Sequence, residues 1–128
     1  MAFALSIMKL HLQYRLLISE MNADINVLRI LEDYIKEIFS TKTELETVKN
    51  VAYFKNNFTA FRKDIDELRE TMHLKKMLLL VLSKEKKKLD YKTFKLDQHN
   101  EVLQKFKVYR KKFDKMQKEF IRFVEKRS

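Results

Sequence analysis

Glycine, proline, cysteine and tryptophan are all missing from this chain of 128 residues. At average usage of roughly 7% Gly and roughly 5% Pro, a chain of this length carries roughly fifteen of the two together. Tight hairpins and crossover turns rely on Gly for positive φ or on Pro for a fixed φ, whereas both residues damage long helices. The double absence therefore predicts an all-α chain with few turns. It also removes the usual forms of the phosphate-cradling loop, the dinucleotide-binding turn, the nucleophile elbow and the EF-hand, each of which needs glycine. Without cysteine there are no disulfides and no thiolate metal sites, and a cytoplasmic location is the default expectation. No cofactor is expected, and no enzyme.

No long uncharged apolar run occurs either. The opening MAFALSIMKLHLQYRLL is interrupted by Lys9 and Arg15. It is too short to span a bilayer and lacks the basic start and small-residue cleavage site of a targeting segment. It reads as the first turns of a helix, and no membrane span is expected.

What the chain has is apolar periodicity. Ile7, Leu10, Tyr14, Leu17 and Met21 step by three and four, and the register resumes after Asp24 at Leu28, Leu31, Ile35 and Ile38. A helix over about 4–39 follows. In STKT, Thr43 with Glu46, or equally Thr41 with Glu44, makes a capping-box pattern that opens a second helix over about 43–88. Its seam is Val51, Phe54, Phe58, Phe61, Ile65, Leu68, Met72, Leu79, Leu82 and Leu89, with Lys75 and Lys86 at core positions. A break near 71–76, giving four helices, is the alternative. No breaker occurs there, so the continuous helix is preferred. Asp90, Asp97 and Asn100 are N-cap candidates in the joint that follows. A third helix over about 97–126 carries the most regular seam: Val102, Phe106, Tyr109, Phe113, Met116, Phe120 and Phe123. Three long helices with short joints predict a single domain, an antiparallel bundle with coiled-coil-like packing.

Two features point to partners. The segment MLLLVL, 77–82, is apolar on every side of its helix, and such a helix must be covered all round. Leu74, Met77, Leu78, Leu80 and Val81 are the expected contacts to a protein partner, a second copy in a homo-oligomer (a dimer first) or another helix. Charge is the other feature. Residues 1–70 hold 10 Lys or Arg against 11 Asp or Glu, and residues 71–128 hold 18 against 7. Lys84, Lys86, Lys87, Lys88, Lys105, Arg110, Lys111, Lys112, Lys115 and Lys118 are the expected face toward an acidic protein or nucleic acid. Lysine outnumbers arginine 21 to 7, which favours nonspecific phosphate attraction over base reading. In KFKVYRKKFDKMQK the aromatics Phe106, Tyr109 and Phe113 fall on the seam and are assigned to the core rather than to base stacking. Because the apolar stripes read as consumed by the bundle, an interfacial membrane helix is not expected.

Remaining polar signals are sparse. The five serines, Ser6, Ser19, Ser40, Ser83 and Ser128, have no base pattern nearby. Glu70 and His73 make one Glu-x-x-His step, but a carboxylate-bridged metal pair needs two such steps and two further glutamates, so His73 is placed at the surface or at the boundary of the core. Asp24 on the first seam either faces a lysine across the bundle or rotates to water as Ile25 takes its place.

Overall fold

A computed structural model describes residues 2–84 and 96–127, with side chains placed for 7–84 and 98–126. The described residues form three long helices: α1 (Ala2–Tyr34), α2 (Leu45–Lys84) and α3 (Leu96–Arg127), with a π-helical turn, Ile35–Phe39, closing α1. The alternative break near 71–76 is not taken: α2 is continuous for 40 residues, about 60 Å at 1.5 Å per residue. The joint at 90–95, its N-cap candidate Asp90, and Lys86 and Leu89 lie outside the described residues, as do the side chains of Asp97 and Leu96.

Antiparallel packing of sequential helices is visible in the pairs that cross the core. From α2 to α3, Phe54 meets Phe123 at 5.3 Å between ring centroids, Phe58 meets Phe120 at 5.7 Å and Phe61 meets Phe113 at 5.4 Å. From α1 to α2, Arg69 Nη1 donates to Asn22 Oδ1 at 2.8 Å, and Arg62 pairs with Glu32. Between α1 and α3 the sequence offset stays at 85 or 86 residues, since Tyr14 meets His99, Asp24 meets Tyr109 and Tyr34 meets Phe120. Those two helices run parallel, bridged by long side chains, while α1 and α2 pack backbone to backbone more closely.

The expected seams are the core. All seven of the α3 seam residues are buried, as are Ile7, Tyr14, Met21, Leu28 and Ile35 on α1 and Phe54, Phe58, Phe61, Ile65, Met72, Leu79 and Leu82 on α2. Lys75 is tolerated at its core position because it is only half-buried and extends its Nζ to Gln98 Oε1 at 3.0 Å. One seam position differs from expectation. Ile38 is 44% exposed and Phe39 is 6% exposed. The π-helical turn holds more residues than an α turn, so the register slips by one and the larger side chain is turned inward. Phe39 there stacks on Phe123 at 5.0 Å.

Asp24 settles its own alternatives. It is 6% exposed, so it does not rotate to water, and its partner is an arginine rather than a lysine.

Candidate functional site

The face of α2 that carries MLLLVL divides in two. Leu79 and Leu82 are buried, and Leu78 packs half-buried against the core. On the opposite side Leu74 is 61% exposed, Met77 51%, Leu80 43% and Val81 49%. Four of the five residues expected at a partner interface therefore stand at the surface, while Leu78 belongs to the bundle. The cause is geometric. Steps of three and four residues share one helix face, so Leu74, Met77 and Val81 form a stripe that points away from Met72 and Leu79.

This apolar surface continues onto α1. Met8 and Leu12 are 66% and 55% exposed, and with Ile7, Leu79 and Leu80 they line a groove of about 570 Å³ whose rim carries Lys9, His11 and Arg15. The expectation that the bundle consumes every apolar stripe does not hold at this end of the molecule. Monomeric chains seldom leave contiguous apolar surface of more than a few hundred Å² uncovered. Among the described residues no helix is long and apolar enough to cross a membrane.

The lysine face resolves unevenly. Lys84, Lys105, Lys111, Lys112, Lys115 and Lys118 are exposed. Lys105 sits 3.7 Å from Glu101, and Lys115 sits 3.9 Å from Glu119, both one helical turn away. Lys86, Lys87 and Lys88 lie outside the described residues. Arg110 is the correction. It turns inward and its guanidinium forks onto Asp24, Nη2 to Oδ2 at 2.7 Å and Nη1 to Oδ1 at 3.2 Å. Glu20 lies 3.0 Å from Nη2 and Asp114 3.5 Å from Nη1, so the charge is satisfied within the chain. Only Nε is left buried without a hydrogen-bond partner. Arginine takes this place because its planar fork matches a carboxylate with two parallel bonds, which a lysine ammonium cannot do.

Tyr109 completes this polar layer by donating from its hydroxyl to Asp24 Oδ2 at 2.6 Å. Burial and then that hydrogen bond push the Tyr109 hydroxyl well above the usual tyrosine range, so it stays protonated. A second polar pair lies nearer the apolar end, where the Tyr14 hydroxyl and His99 Nδ1 share a hydrogen bond. Burial pushes the Tyr14 hydroxyl up to about 12. Burial, and then the charge of Lys75, push the His99 imidazole down, so it stays neutral at pH 7. The α3 seam as read from Val102 omitted His99, although stepping back three residues from Val102 reaches it. Both clusters join α1 to α3 in the interior. Among the described residues no group of three or more His, Asp or Glu side chains could hold a metal ion, and His73 is exposed.

Comparison adds no relative. The sequence matches no protein-family model, no curated protein and no solved structure, so functional reasoning rests on these side chains.

Proposed function

We propose that the protein is a non-catalytic helical interaction module that self-associates through the apolar surface of the C-terminal third of α2. One observation carries this reading. Leu74, Met77, Leu80 and Val81 remain 43–61% exposed on a helix whose opposite side is fully packed. Fully burying an exposed Leu, Met or Val side chain is worth about 1.5–3 kcal/mol, and because these four are already about half covered, a second helix laid on this face gains roughly half of that from each.

The test is the solution mass by light scattering after size exclusion, over a hundredfold range of concentration. A dimer of the 15.6 kDa chain that dissociates on dilution is expected. Mass of a single chain at every concentration contradicts the reading.

A second reading has its own observation. Lys111, Lys112 and Lys118 are exposed on α3 and, among the described residues, make no ion pair. A polyanion such as nucleic acid would meet this face through phosphate contacts, with affinity that falls steeply as salt rises because bound counterions are released. Replacing Lys111, Lys112 and Lys115 by Glu should abolish that binding and leave the fold intact. Binding that survives the substitution removes this reading.

A further inference from the structure

The exposed stripe on α2 is longer than its apolar part. Lys63, Glu67, Glu70, Leu74, Met77, Val81 and Lys84 follow one another at steps of four and three, and all seven are exposed. This is a second heptad seam on a helix whose first seam is already used by the bundle. It covers about 32 Å of helix at 1.5 Å per residue, long enough for a helix pair to cross on it. Its apolar centre is flanked unequally, with Glu70, Glu67 and then Lys63 on one side and Lys84 on the other, so the charges next to the apolar residues are acidic at one end and basic at the other.

That asymmetry selects an orientation. In a parallel pair of α2 helices, Glu70 would face Glu70 and Lys84 would face Lys84, repelling at both ends. In an antiparallel pair centred on Met77, Glu70 lies opposite Lys84 of the second copy and Met77 meets its own counterpart, while Leu74 and Val81, three and four residues from the centre, come side by side within one residue of register. Residues 70 and 84 are equally far from Met77, so both charge pairs form together. Among the described residues neither Glu70 nor Lys84 makes an ion pair within its own chain. Resting on the self-association proposed above, we infer that the protein forms a two-fold symmetric dimer in which the outer faces of two α2 helices pack antiparallel about Met77. Such an interface is isologous: one patch serves as both halves, and the assembly closes at two copies.

The chain has no cysteine, so engineered thiols are the only ones present. A disulfide forms only where two Cα atoms come within about 7 Å. Under mild oxidation Met77→Cys should cross-link with itself. Leu74→Cys and Val81→Cys should each stay largely uncross-linked alone and form a mixed disulfide when combined. Self-linking of Leu74→Cys without the mixed product shows a parallel pair, and no cross-link in a chain that is still dimeric by mass shows a different interface. Either result overturns the antiparallel register while leaving self-association standing. A single-chain mass at all concentrations overturns both.

Charge reversal gives an independent readout that does not touch the apolar centre. Glu70→Lys or Lys84→Glu alone should weaken the dimer about tenfold, since each places two like-charge contacts where two exposed ion pairs stood. The double variant Glu70→Lys/Lys84→Glu should restore the original affinity. Single variants that dimerise like the starting protein contradict the register.

Discussion

The two ends of the bundle are finished in different ways. Where the π-helical turn meets the start of α2 and the end of α3, Phe39, Phe54, Phe58, Phe120 and Phe123 interlock, with ring centroids 5.0–5.7 Å apart in their closest pairs. At the opposite end Met8, Leu12, Leu74, Met77 and Val81 are left 49–66% exposed. Aromatic pairs at such separations add about 0.5–1.5 kcal/mol each beyond area burial. The first end is closed by its own chain. The second carries apolar side chains that the described residues leave open, and it is this surface that the proposed second copy would cover.

The contrast can be broken from the closed end first. Phe120→Ala should cost about 4 kcal/mol, because it removes a ring that touches Tyr34, Phe54, Phe58 and Phe123 and leaves a cavity. Chemical denaturation should show this as a lower midpoint at every protein concentration. Loss below 1 kcal/mol would mean the aromatic cluster is not the anchor.

Next in size is the polar layer between the ends. Asp24→Ala leaves the Tyr109 hydroxyl without its acceptor in the interior and the Arg110 guanidinium with only the more exposed Glu20 and Asp114, and should cost about 3 kcal/mol. Replacing Asp24 and Arg110 together by Leu and Met should recover much of that loss, since no buried charge is then left alone. A double variant as unstable as Asp24→Ala would argue that the layer contributes packing rather than charge pairing.

How far these features were legible in the sequence follows from their physics. The seams were readable because a heptad step is a property of the helix alone, and Val102 to Phe123 came through unchanged. The exchange of Ile38 for Phe39 was not, since a π-helical turn changes the register without a Gly or Pro to announce it. Arg110 was assigned to the outer lysine face by sequence proximity. Its inward turn depends on Asp24, 86 residues earlier in the chain, and a spacing rule along one helix carries no such information. At the open end the all-round apolar run was visible, but which of its sides the bundle uses was not. Leu78 turned partly inward while Leu74, Met77, Leu80 and Val81 stayed out.

A smaller effect should appear with pH. The His99 imidazole titrates below its ordinary value because burial, and then Lys75, disfavour its charged form. The unfolded chain then binds the proton more readily than the folded one. This contribution to stability is therefore complete above about pH 6.5 and lost as pH falls through the folded-state value. The thermal midpoint should drop on moving from pH 7.5 to pH 5, and His99→Phe should flatten that part of the profile. An equal drop in both proteins would assign the acid sensitivity to other groups. Tyr14, raised to about 12 by burial, acts with the opposite sign, its contribution being lost only as pH rises above 10.

The smallest effect on folding is expected at the open end. Val81→Ser changes a side chain 49% exposed in the single chain, and surface substitutions of this kind shift monomer stability by about 0.5 kcal/mol or less. In a dimer the same change acts through association, so its effect on the melting midpoint should grow with protein concentration. A large loss at high dilution would place Val81 in the monomer core instead.

Sedimentation equilibrium of the unaltered chain beside Val81→Glu tests whether two copies meet through the outer face of α2. A concentration-dependent dimer is expected for the first, and for the second a monomer with undiminished helicity by circular dichroism. A monomer in both, or a dimer in both with the same dissociation constant, would contradict the assignment of the α2 outer face as the contact between copies.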